Sequence, residues 1–119
     1  MSGPVRRSWL IVPAHDVDAL SEAAVSSADV VVLDLQDTVH DTRKHQAREM
    51  VRDSIGRMRD QGAEVFVRAD VELMHADLAA SVWPRLTGIV LPGATSAAQV
   101  READQILGGL EGERGVVKP

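Results

Sequence analysis

Short, nearly continuous aliphatic runs alternate along this chain with longer stretches in which apolar residues recur every three or four positions. The runs fall at residues 8–12, 30–35, 64–67 and 88–91. Runs of this kind suit strands buried on both faces, as in a parallel sheet covered by helices. The periodic stretches between them predict helices over 17 to about 27, about 42–61, about 75–82 and 96 to about 107. Gly115, Val116 and Val117 read as the start of a fifth strand. Strand and helix therefore alternate throughout, which predicts an α/β fold with parallel strands and right-handed crossovers.

Start and stop signals agree with this division. Pro13 closes the first run and Asp16 is placed to cap the helix after it. Gly62 follows the second helix, Pro84 the third, and Pro92-Gly93 the fourth strand. Ser96 and Gln99 have capping-box spacing, and Gly108-Gly109 reads as the end of the last helix. The second helix has a clear core face of Ala47, Met50, Val51, Ser54, Ile55 and Met58. Its other face carries Arg43, Lys44, Arg48, Arg52, Arg57 and Arg59, and a solvated surface is the expectation for that basic row.

Chemistry concentrates at strand ends. The run Val30 to Leu33 is followed by Asp34, Gln36 and Asp37. In α/β proteins ligands bind beyond the carboxyl ends of the strands, which makes this acidic tip a site candidate. A turn or helix cap is the competing reading of the same aspartates. Arg68 follows Val65-Phe66-Val67 in the same way. Its planar fork suits a substrate carboxylate, and it suits equally an internal ion pair with a neighbouring aspartate. The two roles can coexist. His15 lies just past the first strand, as a polar loop residue or at the mouth of a site. His15, His40, His45 and His75 have no metal-ligand spacing, and there is no phosphate-binding glycine loop.

Composition narrows the classes. At 119 residues the prior is one domain. Formal net charge is −5, which disfavours nucleic-acid partners. No cysteine is present, so a disulfide scaffold, a thiolate metal site and a cysteine nucleophile are excluded. No apolar run approaches the roughly 20 residues of a membrane span. The expectation is a soluble, cytoplasmic protein.

Two families share part of this pattern. Val31 to Leu35 and the chain length resemble a response-regulator receiver. That family needs an acidic pair after the first strand, where His15-Asp16 stands, and a further strand before its phosphoacceptor. The better match is in series: Arg7 to Pro13, Ala28 to Val39, Val67-Arg68-Ala69-Asp70, Asp77-Leu78-Ala79 and Gly88 to Gly93. Together these words resemble the citrate lyase beta-subunit/HpcH-HpaI aldolase family, whose members include malyl-CoA lyases.

The resemblance implies the first half of a TIM (β/α)8 barrel, with residues 1–119 supplying strands one to four and the start of strand five. It implies a carbon–carbon lyase or aldolase that cleaves or forms a 2-oxo or 3-hydroxy acid, possibly as a CoA ester, with magnesium stabilising an enolate. The family's magnesium ligands follow strands five and six, so none is expected in this chain. Arg68 falls on the family's substrate-carboxylate arginine, and Gln36 and Asp37 on its acidic catalytic loop. Three departures stand out. The family's Leu-Glu-Asp is Leu-Gln36-Asp37, its Pro-Gly is Pro13-Ala14, and its Leu-Pro-Lys is Leu-Pro-Gly93. Where CoA-using members carry basic residues, this chain has Asp16 and Glu22, which repel CoA phosphates. The partners implied are a small carboxylic acid and either a second copy or a complementary half-barrel. A catalytically inactive half-barrel serving as a binding or assembly module is the alternative.

Overall fold

A computed structural model describes residues 8–115. The elements are β1 (Trp9–Pro13), α1 (Val17–Val25), β2 (Val30–Asp34), α2 (Lys44–Asp60), β3 (Glu64–Arg68), α3 (Met74–Ser81), β4 (Gly88–Val90) and α4 (Ala97–Arg114). Short 3-10 turns, Asp41–Arg43 and Val71–Leu73, precede α2 and α3. The four strands form one sheet in the order β1-β2-β3-β4, every pair parallel. The alternation of strand and helix predicts this arrangement, because a parallel neighbour can be reached only by a crossover.

β2 is buried along its whole length, as its unbroken run of branched residues requires. Alternate side chains leave opposite faces of a strand. Val12, Val31, Leu33, Val65 and Val67 enter the main core with Ala47, Val51, Ile55 and Met58 of α2 and Leu20 and Ala23 of α1. Each fully buried Val, Leu or Ile side chain here contributes about 1.5–3 kcal/mol relative to exposure. A second cluster joins Met74 and Leu78 of α3 to Ala103 of α4.

No helix among the described residues covers the other face of the sheet. The register aligns Ile11, Val32, Phe66 and Gly88 across it. Trp9 stacks on Phe66 with ring centroids 5.9 Å apart. A Cβ at Gly88 would lie 2.9 Å from the Phe66 ring, so glycine lets that ring lie across β4. Trp9 and Ile11 remain 58% and 50% exposed.

Three expectations need correction. Lys44 does not belong to a solvated row: it is buried at the start of α2 because its ammonium finds backbone carbonyls there. Arg48, from the same row, is drawn into an ion pair with the buried Asp77. Finally, α4 runs through Gly108 and Gly109 to Arg114. It stops at Gly115, which takes the left-handed conformation (φ 65°) and donates its N–H to Glu111. Gly115 thus ends a helix instead of opening a strand, and Val116 and Val117 lie outside the described residues. The extra turns are anchored by Arg114, whose guanidinium lies 3.8 Å from the Trp83 ring centre and donates to the Val82 carbonyl at 2.8 Å.

Candidate functional site

Parallel pairing brings the carboxyl ends of β2 and β3 side by side, and Asp34 and Arg68 are direct register partners. Arg68 Nε donates to Asp34 Oδ1 and Nη2 to Oδ2, both at 2.8 Å. The same carboxylate accepts from the Gln36 amide at 2.9 Å, the Thr38 amide at 2.7 Å and the Thr38 hydroxyl at 2.6 Å. Asp34 is fully buried. Burial alone would push its carboxyl up. The hydrogen bonds from Arg68, Thr38 and Gln36 outweigh that effect and hold it well below the usual carboxylate range. Arg68 is shifted up, chiefly by its hydrogen bonds to Asp34.

The turn reading of the acidic tip is realised at Asp34. Asp34 closes the turn and fixes the arginine fork, so its oxygens are committed within the protein. Asp37, three residues on, is open: its side chain is 71% exposed and lies 3.9 Å from Arg68 Nη1. Nη1 is the part of the guanidinium not used by Asp34. Gln36 is partly buried, and its Oε1 has no hydrogen-bond partner among the described residues. His15, just past β1, likewise has a buried Nδ1 without a partner there. Arg68, Gln36 and Asp37 thus lie together at one end of the sheet, as the sequence predicts.

A second set of residues holds this rim in place. Lys44 Nζ donates to the Leu35 carbonyl at 2.7 Å and the Gln36 carbonyl at 3.4 Å. It also faces Asp70 Oδ2 at 3.6 Å. Asp70 donates its backbone N–H to Asp77 at 2.8 Å, and Asp77 pairs with Arg48 at 2.8 Å. Lys44 and Arg48 are one turn apart on α2. With Asp70 and Asp77 they form a chain of contacts that ties the loop after β2 to the loop after β3. The signal available in the sequence is the i, i+4 spacing of the two cations; their acidic partners lie far along the chain. An open groove of about 460 Å³ flanks these contacts, lined in part by Asp41, His45 and Glu72.

Arg68 Nη1 is the nitrogen left over by Asp34 and lies near Asp37, whereas Gln36 Oε1 is buried and has no partner among the described residues. The arrangement does not make a divalent-metal centre. Among the described residues no group of three His, Asp or Glu side chains converges on one point, and Asp34 is fully engaged by five hydrogen bonds.

Residues 7–119 match the family model described as HpcH/HpaI aldolase/citrate lyase. The chain belongs to this family. A citrate lyase subunit beta-like protein of Mycobacterium tuberculosis is 38% identical over 95 residues, which cover 79% of this chain and 34% of that protein. Among solved structures, CitE of M. tuberculosis in complex with magnesium, acetoacetate and coenzyme A superposes with a TM-score of 0.58 at 34% identity. The match covers 82% of this chain and 36% of that one. The citrate lyase beta subunit of M. tuberculosis complexed with oxaloacetate and magnesium gives a TM-score of 0.56 at 34% identity, over 80% and 42% of the two chains. This HpcH/HpaI-family chain thus spans between a third and about two fifths of the length of these relatives. It shares their α/β fold, and no helix among its described residues is long and apolar enough to cross a membrane.

Proposed function

We propose that residues 1–119 are the first half of a (β/α)8 barrel and provide the carboxylate-holding rim of a magnesium-dependent carbon–carbon lyase. The substrate class is a small 2-oxo or 3-hydroxy acid. The observation that carries this reading is the Arg68 fork, fixed through Nε and Nη2 by buried Asp34, with Nη1 left over near exposed Asp37. A guanidinium held in this way is oriented before the acid arrives, so little side-chain entropy is lost on binding. In this reading Arg68 binds the acid's carboxylate. Gln36 stands beside it at the rim, and Asp37 competes with the acid for Nη1. Asp34 acts through Arg68 as a positioning residue. Magnesium coordination needs carboxylates from outside the described residues, and its chemistry would be to stabilise an enolate.

Free acids fit this rim better than CoA esters. Asp16, just past β1, and Glu22, further along α1, are both exposed, and they repel phosphates. Isothermal titration with oxaloacetate tests the reading. The wild-type chain is expected to bind and Arg68→Lys to lose binding, because an ammonium cannot serve Asp34 and a second carboxylate with the same geometry. Equal affinity in the two proteins removes the role assigned to Arg68.

A second reading, an assembly module without chemistry of its own, is supported by Trp9 and Ile11. These two side chains leave the helix-free sheet face apolar and open to water.

A further inference from the structure

Five donors reach the Asp34 carboxylate, although a carboxylate offers only about four lone-pair positions. They are shared unevenly. Oδ1 accepts from the Gln36 amide and from Arg68 Nε. Oδ2 accepts from the Thr38 amide at 2.7 Å, the Thr38 hydroxyl at 2.6 Å and Arg68 Nη2 at 2.8 Å. Four of the five have a plain task. The two amides close the loop over the end of β2, between the buried side chains of Leu35 and Val39. The two guanidinium nitrogens join β3 to β2. The fifth, the Thr38 hydroxyl, is not needed for the turn, because the backbone amide of the same residue already donates to the same oxygen.

What the hydroxyl adds is a third donor on the oxygen that holds Arg68 Nη2. Hydrogen bonds from a hydroxyl to a carboxylate are short and strong. Threonine is stiff about χ1, so this donor is held in place and does not swing freely. Thr38 itself is exposed, and without its hydroxyl water competes for Oδ2. We propose that Thr38 is a positioning residue for the acid-binding arginine: its hydroxyl pins the Asp34 carboxylate, and the pinned carboxylate sets the guanidinium plane of Arg68 and the place of Nη1. The contacts run from Thr38 Oγ1 to Asp34 Oδ2 and on to Arg68 Nη2. A carboxylate is planar, so a constraint on Oδ2 also constrains Oδ1 and, through it, Nε. Thr38 touches no substrate in this scheme. The proposal rests on the acid-binding role given to Arg68 above, and the test keeps the two apart.

Nitrogen-15 NMR of the Arg68 side chain reads the guanidinium, and calorimetric titration with oxaloacetate reads the acid. Both are made on the wild type, on Thr38→Val, which keeps the shape and loses the hydroxyl, and on Thr38→Ser, which keeps the hydroxyl. In Thr38→Val, rotation of the guanidinium about Nε–Cζ should be about fivefold faster and oxaloacetate should bind about fivefold more weakly, the scale of one net hydrogen bond. Thr38→Ser should restore most of both. A hydroxyl that only closed the turn would shift the unfolding midpoint and leave the rotation alone. Thr38→Ala takes the place of Thr38→Val if the valine variant does not fold. Unchanged rotation overturns the proposal whatever the acid does. Faster rotation at unchanged affinity overturns it as well, and so does an equal loss in the valine and serine variants, which traces the effect to side-chain shape. A wild type that binds no oxaloacetate, with rotation still faster in Thr38→Val, overturns the acid role of Arg68 and leaves Thr38 ordering an ion pair alone.

Discussion

Arg68 spans from the end of β3 to the end of β2 and holds both carboxylate oxygens of Asp34, each at 2.8 Å. The pair is bidentate and buried on the aspartate side. It joins two neighbouring strands at the end where α/β proteins place their ligands, and it leaves Nη1 over, 3.9 Å from Asp37.

Asp34→Asn is expected to destabilise the fold by about 3 kcal/mol, near the lower end for breaking a buried ion pair because Arg68 is 18% exposed. The amide nitrogen of asparagine would present hydrogens to the guanidinium or to the Gln36 and Thr38 amides, donor against donor. Urea denaturation measures the loss. A change under about 1 kcal/mol would mean the pair is idle.

The same pair sets an acid limit. Folded Asp34 releases its proton more readily than an ordinary carboxyl at 3.8. The unfolded chain therefore binds more protons on acidification, and stability falls as pH falls. The contribution is complete above about pH 5 and is lost progressively below about pH 4. Stability measured against pH should lose much of that slope in Asp34→Asn. An unchanged slope would assign the acid sensitivity to other carboxylates.

Lys44→Met keeps the aliphatic stem and removes the ammonium. It leaves the Leu35 carbonyl without its donor and Asp70 without its counter-ion, at a cost of about 2 kcal/mol. The effect should be local. Amide exchange should speed up at Gln36 to Thr38 and around Asp70 before it does in α2. Uniform exchange across the chain would contradict the view that Lys44 ties the two loops.

Much of this was legible in the sequence, and the failures have physical causes. The aliphatic runs placed all four strands, and the predicted neighbourhood of Arg68 and Asp34 follows from strands two and three lying side by side. Lys44 was misplaced because a lysine in a basic row normally points to water. Two carbonyls that only the folded loop brings together draw it inward. The end of α4 was missed because Gly108-Gly109 is a sound stop signal locally. Packing of Arg114 on Trp83, distant in sequence, carries the helix past it. Which role Arg68 plays stayed open because both readings use the same fork. The structure shows the ion pair, with two nitrogens on Asp34, and leaves Nη1 for the role proposed above.

Asp37 is exposed and sits near that remaining nitrogen. Asp37→Asn removes a competing negative charge without touching the core, and it should raise the affinity for a small carboxylate by about twofold to fivefold, the scale of an exposed ion pair. Calorimetry reads this directly. Weaker binding would mean that Asp37 contacts the acid and does not compete with it.

The most direct measurement is a crystal structure of this chain grown with oxaloacetate. The account predicts a carboxylate of the acid within hydrogen-bond distance of Arg68 Nη1, with the Asp34–Arg68 pair intact. An acid bound away from the ends of β2 and β3, or a guanidinium that leaves Asp34 to reach it, would contradict the account.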